Sequence, residues 1–519
     1  MTAGPHRNLA ADLEARAAEA PGRIALTFED GRRWTFAGLD AAAAILAGRL
    51  EEAAAGRGHR VAVQLPNSPE LVVALLASWK AGLVPVAMSG LYNADEVRKC
   101  VAEVGPAVLV STALASEDEA AVVLPPGLVA EIAARYEGPG HDRPVAGRRS
   151  PAVGETDEGI VLFTGGTTGE PKPVLLTHAG TYASMSNLVR AQKGRPGPLP
   201  MAQPHIPPNL LALPLFHSGG FQSLLVAWHL GRPAVLMSRF SVDRIARLVP
   251  EHQVDNLFLL PTMIYDLVRA EPAPDLASVR RVLVAGQRLD PMLQQEFENK
   301  YQVMVLSNYG STELGHVAGW TGRDIKAGRW KPGAVGRVYD GVTLEIRDEG
   351  GRALDAGRPG EIWVRSRRTL GYVSGERTLA GDLVTGGWVR SGDMGYVDDD
   401  GVLFLVGRSR ELIKTGGFQV WPAELEQVVR AAPGVADAAV VGCPDPRLGE
   451  IPVAAVVPAE PGAGAELEEA VIGHCRERLA HYKAIRKVVL VDSLPRSEVG
   501  KIRRDEVEET VRARLGAEG

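Results

Sequence analysis

Cysteine is scarce in this chain. Three occur, Cys100, Cys443 and Cys475, far apart and never as a C-x-x-C pair, so neither a disulfide framework nor a cysteine zinc site can be read from them. Surplus positive charge is also lacking: the formal net charge is −6, which offers no basic footprint for nucleic acid. Long apolar runs are missing too. The run "LVVALLASW" is stopped by Lys80 short of a membrane span, and the opening "MTAGPHRNLAADLEARAAEAPGR" carries acidic residues and no apolar core region. Neither a targeting segment nor a transmembrane helix is expected. These absences suggest a reduced, cytoplasmic setting. Several familiar strings are absent as well: G-x-G-x-x-G after a strand, H-E-x-x-H, and G-x-S-x-G. Dehydrogenase, zinc-hydrolase and α/β-hydrolase readings lose their main support with them.

What is present is a globular composition, 45% hydrophobic and 23% charged over 519 residues. That length exceeds a single core and predicts about three or four structural units. From about residue 20 to residue 310, short apolar runs alternate with longer amphipathic stretches. "RVAVQL" precedes "SPELVVALLASWKAG", "PAVLMS" precedes "VDRIARLVPEHQ", and "DNLFLLP" leads through a helical stretch to "RRVLVAG" and "VMVLSNYG". Such strand–helix–strand units predict parallel sheets with helices on both faces. Ligands in these sheets gather at the strands' carboxyl ends, where "GGTTGEPK", "AGQR" and "NYGSTE" fall. The Pro- and Gly-rich segments "EGPGHDRPVAGRRSP" and "GRPGPLPMAQPHIPPN" read as irregular surface structure.

After about residue 330 the pattern changes. "GVTLEIRD", "GEIWVRS" and "GWVRSGDMGYVDDDGVLFLVGR" are short β-rich runs divided by Gly and Asp turns, which suggests a small antiparallel sheet or barrel. Pro422 then suits the first position of a helix. Strands "VADAAVVG", "PVAAVVP" and "KVVLVDS" alternate with charged helices from there to the end, enough for a compact α+β domain.

The stretch "LFTGGTTGEPKPVLLTH", Leu162 to His178, sets three glycines and three threonines before Lys172. Small residues let the backbone approach a ligand, and successive free N–H groups form an anion site. It reads as a phosphate cradle, against the alternative of a surface turn. A Walker-type loop is excluded, because Lys172 is flanked by Pro171 and Pro173 and no helix can follow it in the usual way.

The strings "FTGGTTGEPKPV", "ALPLFHSGGF", "NYGSTE", "SGDMGYVDDDGVLFLVGRSRELIKTGGFQVWPAE" and "LPRSEVGKIRR" run in that order over most of the chain. Together they resemble the adenylate-forming enzymes, the superfamily of acyl-CoA synthetases, nonribosomal adenylation domains and beetle luciferase. The resemblance implies an α/β fold: a large N-terminal domain of two wound α/β lobes plus a small β-barrel (1–407), a hinge (408–411) and a mobile α+β C-terminal domain (412–519). It implies a two-step ligase. A carboxylate attacks the α-phosphorus of ATP with Mg²⁺ to give an acyl-adenylate and pyrophosphate, and a thiol then displaces AMP. The implied partners are a small carboxylic acid and coenzyme A or a carrier protein, with an oligomer left open.

The resemblance also implies roles. Thr164, Gly165, Gly166, Thr167, Thr168, Gly169 and Lys172 correspond to the phosphate loop, with Gly165 where many relatives have Ser and Pro173 where Gly is usual. Glu313, with Thr167, corresponds to the metal site. Asn308, Tyr309, Gly310, Ser311 and Thr312 border the nucleotide, Tyr309 on adenine and Thr312 toward the α-phosphate. Asp393 and Arg408 correspond to the ribose contacts. Gly286, Gln287 and Arg288 stand where relatives carry "GGAPL"-like small residues; bulky polar groups there would narrow the acyl pocket, meet an acidic substrate, or form a salt bridge elsewhere. His217 and Gly219 lie toward the acyl pocket and thiol tunnel. Lys501 corresponds to the adenylation lysine, and Lys414, Gly416 and Gly417 to the segment serving thioester formation. The segment "LPLFHSGGFQSLL" holds no acid that would pair with an α-amino group, which disfavours amino-acid substrates. A stand-alone acyl-AMP ligase and a non-catalytic nucleotide-binding relative are the alternatives.

Overall fold

The computed structural model describes residues 7–55, 59–114, 121–141, 149–164, 172–193, 206–366, 368–374, 377–379, 383–415, 418–462, 464–497 and 500–517. Residues 142–148 and 194–205 of the two loop-rich segments, and residues 165–171 of the threonine-rich stretch, lie outside them. Contacts divide the chain into two compact units. The first holds residues up to 164, 172–343 and 364–389 of the described chain; the second holds 344–363 and the residues from 390 onward.

Two largely parallel sheets build the first unit, as the alternation of apolar strands and amphipathic helices predicts. In one, strands run in the order Arg33–Thr35, Ile24–Phe28, Ala234–Leu236, Asn209–Leu211, Asn256–Leu259, Arg281–Val284 and Met304–Ser311. From Ile24–Phe28 to Met304–Ser311 every pairing is parallel. Met304–Ser311 then turns back as a hairpin with Gly315–Gly319. In the other sheet, Val84–Met88, Arg60–Gln64, Val108–Ser111 and Val122–Leu124 are parallel. Glu158–Thr164 joins Val84–Met88 in parallel and is followed antiparallel by Lys172–Thr177 and Thr369–Ser374. Strands such as Arg60–Gln64 and Val84–Met88 are buried at every position, as strands covered on both faces must be.

Helix ends follow local chemistry. Ser68 and Ser241 accept the third amide of their helices, and Asn93 forms a capping box with Glu96. Asp290 caps a helix that opens on Pro291. These side chains satisfy amides that the helix leaves without partners. Three buried indoles tie distant segments through Nε1: Trp34 to the Ala133 carbonyl at 2.8 Å, Trp79 to Gly159 at 2.6 Å and Trp228 to Ala25 at 3.2 Å.

Mostly in the second unit, Thr343–Arg347, Gly360–Arg365, Trp388–Val397 and Val402–Arg408 neighbour one another in that order. The expected small barrel is instead an open run of strands among the described residues; short strands divided by turns establish pairing, and closure depends on partners that local pattern does not specify. Pro422 opens the helix Pro422–Arg430 as expected. The C-terminal sheet pairs Val435–Asp445 with Gly449–Pro458 over its whole length and adds Lys487–Leu490 in parallel. Alternate residues feed two cores. Ala438, Val440, Ala454 and Val456 face one, and Ala439, Val441, Val453 and Ala455 face the other, as the twofold period of a strand requires. Among the described residues, no helix is long and apolar enough to cross a membrane.

Candidate active site

The first-unit part of the site stands on the carboxyl end of Met304–Ser311. The hairpin that follows is tight: a Cβ on Gly310 would lie 1.9 Å from the Gly315 carbonyl oxygen, and Gly315 itself sits at φ +73°. Only glycine fits either place. Thr312 and Glu313 occupy the turn, half-buried. Behind it lies Arg368, 1% exposed. Its Nε donates to the Thr312 carbonyl at 2.9 Å and its Nη2 to Ser218 Oγ at 3.4 Å, while Nη1 has no partner among the described residues. Burial lowers its pKa to about 10, with Glu313 working against the shift. Nothing in "SRRTLGY" marked this arginine, because its role is set by residues distant in sequence.

Asn308 is tied down below the turn. Its amide nitrogen meets His316 Nδ1 at 3.0 Å, and Tyr339 Oη donates to its oxygen at 2.9 Å. Burial, reinforced by Arg368, pushes the His316 pKa down to about 3, so the ring is neutral. With Nδ1 accepting, Nε2 carries the proton, and that buried atom has no partner among the described residues. Tyr309 is 6% exposed.

His217 caps the helix Ser218–His229, its Nδ1 accepting from the Gly219 amide at 3.2 Å. Gly219 is pressed between Leu213 and Phe258, which a Cβ would meet at 2.9 and 3.0 Å. Gly286 follows the strand Arg281–Val284 at φ +88° and is exposed. A cavity of about 120 Å³ is lined by Gly219, Gln222, Phe258, Leu283, Leu306 and His316 among others. Neither Gln287 nor Arg288 lines it: Arg288 is exposed, with its Nη2 beside Gly333. The buried polar residues of the cavity, Gln222, Arg232 and His316, were missed by sequence reading, since each stands in an otherwise ordinary helix, turn or strand.

Thr164 Oγ1 donates to the Lys172 carbonyl at 3.3 Å, and Lys172 Nζ lies 5.7 Å from the Tyr372 ring centroid. Gly165, Gly166, Thr167, Thr168 and Gly169 fall outside the described residues, as do Gly416 and Gly417. In the second unit, Asp393 and Arg408 are opposite each other on paired strands and form an ion pair, Nε to Oδ1 at 3.0 Å. Asp393 is 9% exposed, and its amide donates to Ser391 Oγ at 2.9 Å. Lys414 presents an exposed side chain from a strand whose amide donates to Glu450 Oε2 at 2.8 Å. The Ser497 amide donates to the Lys501 carbonyl at 2.7 Å. The donor chemistry fits MgATP: carboxylate oxygen at Glu313 for a hard ion that also takes phosphate oxygens, an anionic acceptor at Asp393 for hydroxyls, and ammonium groups for phosphate.

The model of the AMP-binding enzymes matches residues 13–373, and that of the AMP-binding enzyme C-terminal domain matches 424–501. The chain belongs to the AMP-binding enzymes. Within them it is similar to 4-coumarate–CoA ligase 5 of Oryza sativa subsp. japonica, 33% identical over 503 residues that cover 94% of this chain and 90% of that protein. Its fold is similar to ATP-bound MatB from Rhodopseudomonas palustris, with a TM-score of 0.83, 26% identity, and coverage of 97% and 99% of the two chains. The o-succinylbenzoate CoA synthetase of Bacillus subtilis in complex with its acyl-adenylate aligns with a TM-score of 0.81, 27% identity, and coverage of 98% and 99%; the same enzyme is known with ATP and magnesium. The chain is an AMP-forming acid–thiol ligase: it uses ATP and Mg²⁺ to activate a carboxylic acid as the acyl-adenylate and passes the acyl group to coenzyme A.

Proposed function

We propose that this ligase acts on an acid with an apolar aryl or alkyl body, held in the cavity lined by Gly219, Phe258 and Leu283, and that the two lysines of the second unit serve different half-reactions. Lys172 and the threonine-rich loop hold the departing phosphates, and Glu313 carries the metal that neutralises them. Asp393 accepts from the ribose hydroxyls, oriented by Arg408. Lys501 bridges the attacking carboxylate and the α-phosphate, where negative oxygens approach and a strongly hydrated point charge is most valuable. Lys414 belongs to thioester formation, with 408–411 as the hinge that lets 412–519 present each lysine in turn. The observation that carries the assignment is the tight Gly310–Gly315 hairpin, which offers Thr312 and Glu313 on a turn pinned from behind by Arg368. The relatives named for 4-coumarate and o-succinylbenzoate support an aryl acid. A cytoplasmic setting is part of the proposal; all three cysteines are buried and free.

The test separates the half-reactions. Losing one preorganised electrostatic contact costs about 3 to 4 kcal/mol, roughly a hundredfold to a thousandfold in rate. Lys501→Ala should lose adenylation by that order in ATP–pyrophosphate exchange, yet form thioester from supplied acyl-adenylate at close to the normal rate. Lys414→Ala should show the larger loss in the second step. Equal damage to both steps by Lys501→Ala, in protein that melts normally, would refute the division of labour.

A further inference from the structure

The cavity is apolar in its middle and cationic at one end. Leu210, Leu257, Phe258, Leu283 and Leu306 line the middle. The strand Arg281–Val284 runs along it, leading at its carboxyl end into Gly286 and starting at Arg281, roughly 16 Å of extended chain away. Arg232 and Arg281 both line that starting end. Arg232, 4% exposed, donates from Nη1 to Asn209 Oδ1 at 2.9 Å and from Nη2 to both carboxylate oxygens of Asp255 at 2.7 and 2.8 Å. The Asp255 charge is thereby taken up. Arg281 donates from Nε to the Asn256 side-chain oxygen, and its Nη atoms have no hydrogen-bond partner among the described residues. Arg232 Nε is buried without one as well.

Two guanidiniums against one carboxylate leave a surplus positive charge in a partly desolvated wall. Burial lowers the Arg281 pKa, and Arg232 and Arg280 add to the effect against Asp255. A guanidinium does not relieve that cost by losing its proton, and an unpaired charge set into an apolar pocket is costly unless an anion meets it. Its planar fork matches a carboxylate bidentately, as it does a phosphate, and a carboxylate is the anion that the body of an organic acid can carry.

We propose that the acid activated by this enzyme carries a second carboxylate at the end remote from the reacting one, and that Arg281 is the specificity-determining residue that receives it. The inference rests on the ligase reading above, with this cavity as the acyl pocket.

The experiment is ATP–pyrophosphate exchange by the full chain with acids matched in length and differing only at the far end: octanoate and octanedioate, decanoate and decanedioate, cinnamate and 4-carboxycinnamate. In the wild-type enzyme the diacid of at least one pair should have a kcat/KM about tenfold or more above its partner, the effect of one charge-assisted contact. Arg281→Gln, which keeps an amide to meet Asn256, should erase that advantage through KM, with the monoacids changing less than about threefold. The wild-type ratio needs no variant, so a misfolded mutant does not shield the idea. Exchange with monoacids at rates equal to or above the diacids, or a diacid advantage that survives Arg281→Gln, overturns the inference and leaves the ligase reading standing. Absence of exchange with every one of these acids overturns the reading of this cavity as the pocket for an aryl or alkyl acid, and the inference with it.

Discussion

Arg368 is a buried cation whose contributions to function and to stability can be separated by one substitution. It holds the Thr312 carbonyl in the Gly310–Gly315 turn, but its guanidinium is fully buried, keeps one nitrogen without a partner among the described residues, and is depressed in pKa. A buried charge so incompletely paired contributes little or nothing to net stability, and an apolar residue of similar volume is often neutral or better. Arg368→Met should therefore melt at or above the wild-type temperature. Adenylation should fall about tenfold or more, because the turn that presents Thr312 and Glu313 loses its charge-assisted anchor. A lower melting temperature with unchanged exchange would reassign Arg368 to a structural role.

At the scale of elements, the helix Pro422–Arg430 is docked by one carboxylate. Glu426 is 4% exposed and accepts from the Val440 amide at 3.0 Å and from Arg504 Nη1 at 2.5 Å, with Arg430 Nη2 at 3.5 Å. Burial alone would raise its pKa; Arg504 and Arg430 outweigh burial and hold it below the ordinary range. Because the folded pKa is the lower one, this contribution is complete above the unfolded value of about 4.3 and fades as pH falls through the folded value. Glu426→Gln removes one partner of a buried pair and should cost about 3 kcal/mol. Hydrogen exchange across 422–430 and 435–445 is the readout. Protection there unchanged by the substitution at pH 7 would show that the packing of Leu425 and Val429 alone seats the helix.

On the scale of the whole molecule, acid should loosen the first unit before the second. His178 is buried with Nδ1 accepting from the Leu9 amide at 3.1 Å, and burial pushes its pKa down to about 4; His316 is pushed to about 3. Both rings are neutral in the fold and take a proton near pH 6.5 when unfolded. Between those limits the unfolded chain binds more protons, so stability falls as pH falls, by about 2 kcal/mol per ring at pH 5. Above pH 7 this contribution is level. Urea midpoints measured from pH 7.5 to 5 should drop, and drop less in His178→Gln and His316→Gln. A flat profile in the wild-type protein would remove both histidines from the account. The Glu426 network, titrating lower, should hold the second unit through the same range.

Period and punctuation in the chain were enough to foresee the parallel strands from Arg60 to Ser311, the helix start at Pro422 and the C-terminal sheet, because alternation, apolar runs and proline act on their immediate neighbours. The ordered strings from Thr164 to Lys501 were likewise legible, since each is a short contiguous segment, and together they pointed to the family whose models match the chain. Closure of the strands around Gly360–Arg365, the direction taken by Arg288, and the partners of His316 and Arg368 were decided only in the folded chain. His316 is held by Ser184, 132 positions away, and Arg368 by Thr312, 56 positions away. The surplus charge at Arg281 depends on Arg232 and Asp255 meeting on neighbouring elements. A single residue carries its own charge and shape, whereas desolvation and pairing belong to whatever the tertiary structure brings beside it, and those neighbours are not written in the local sequence.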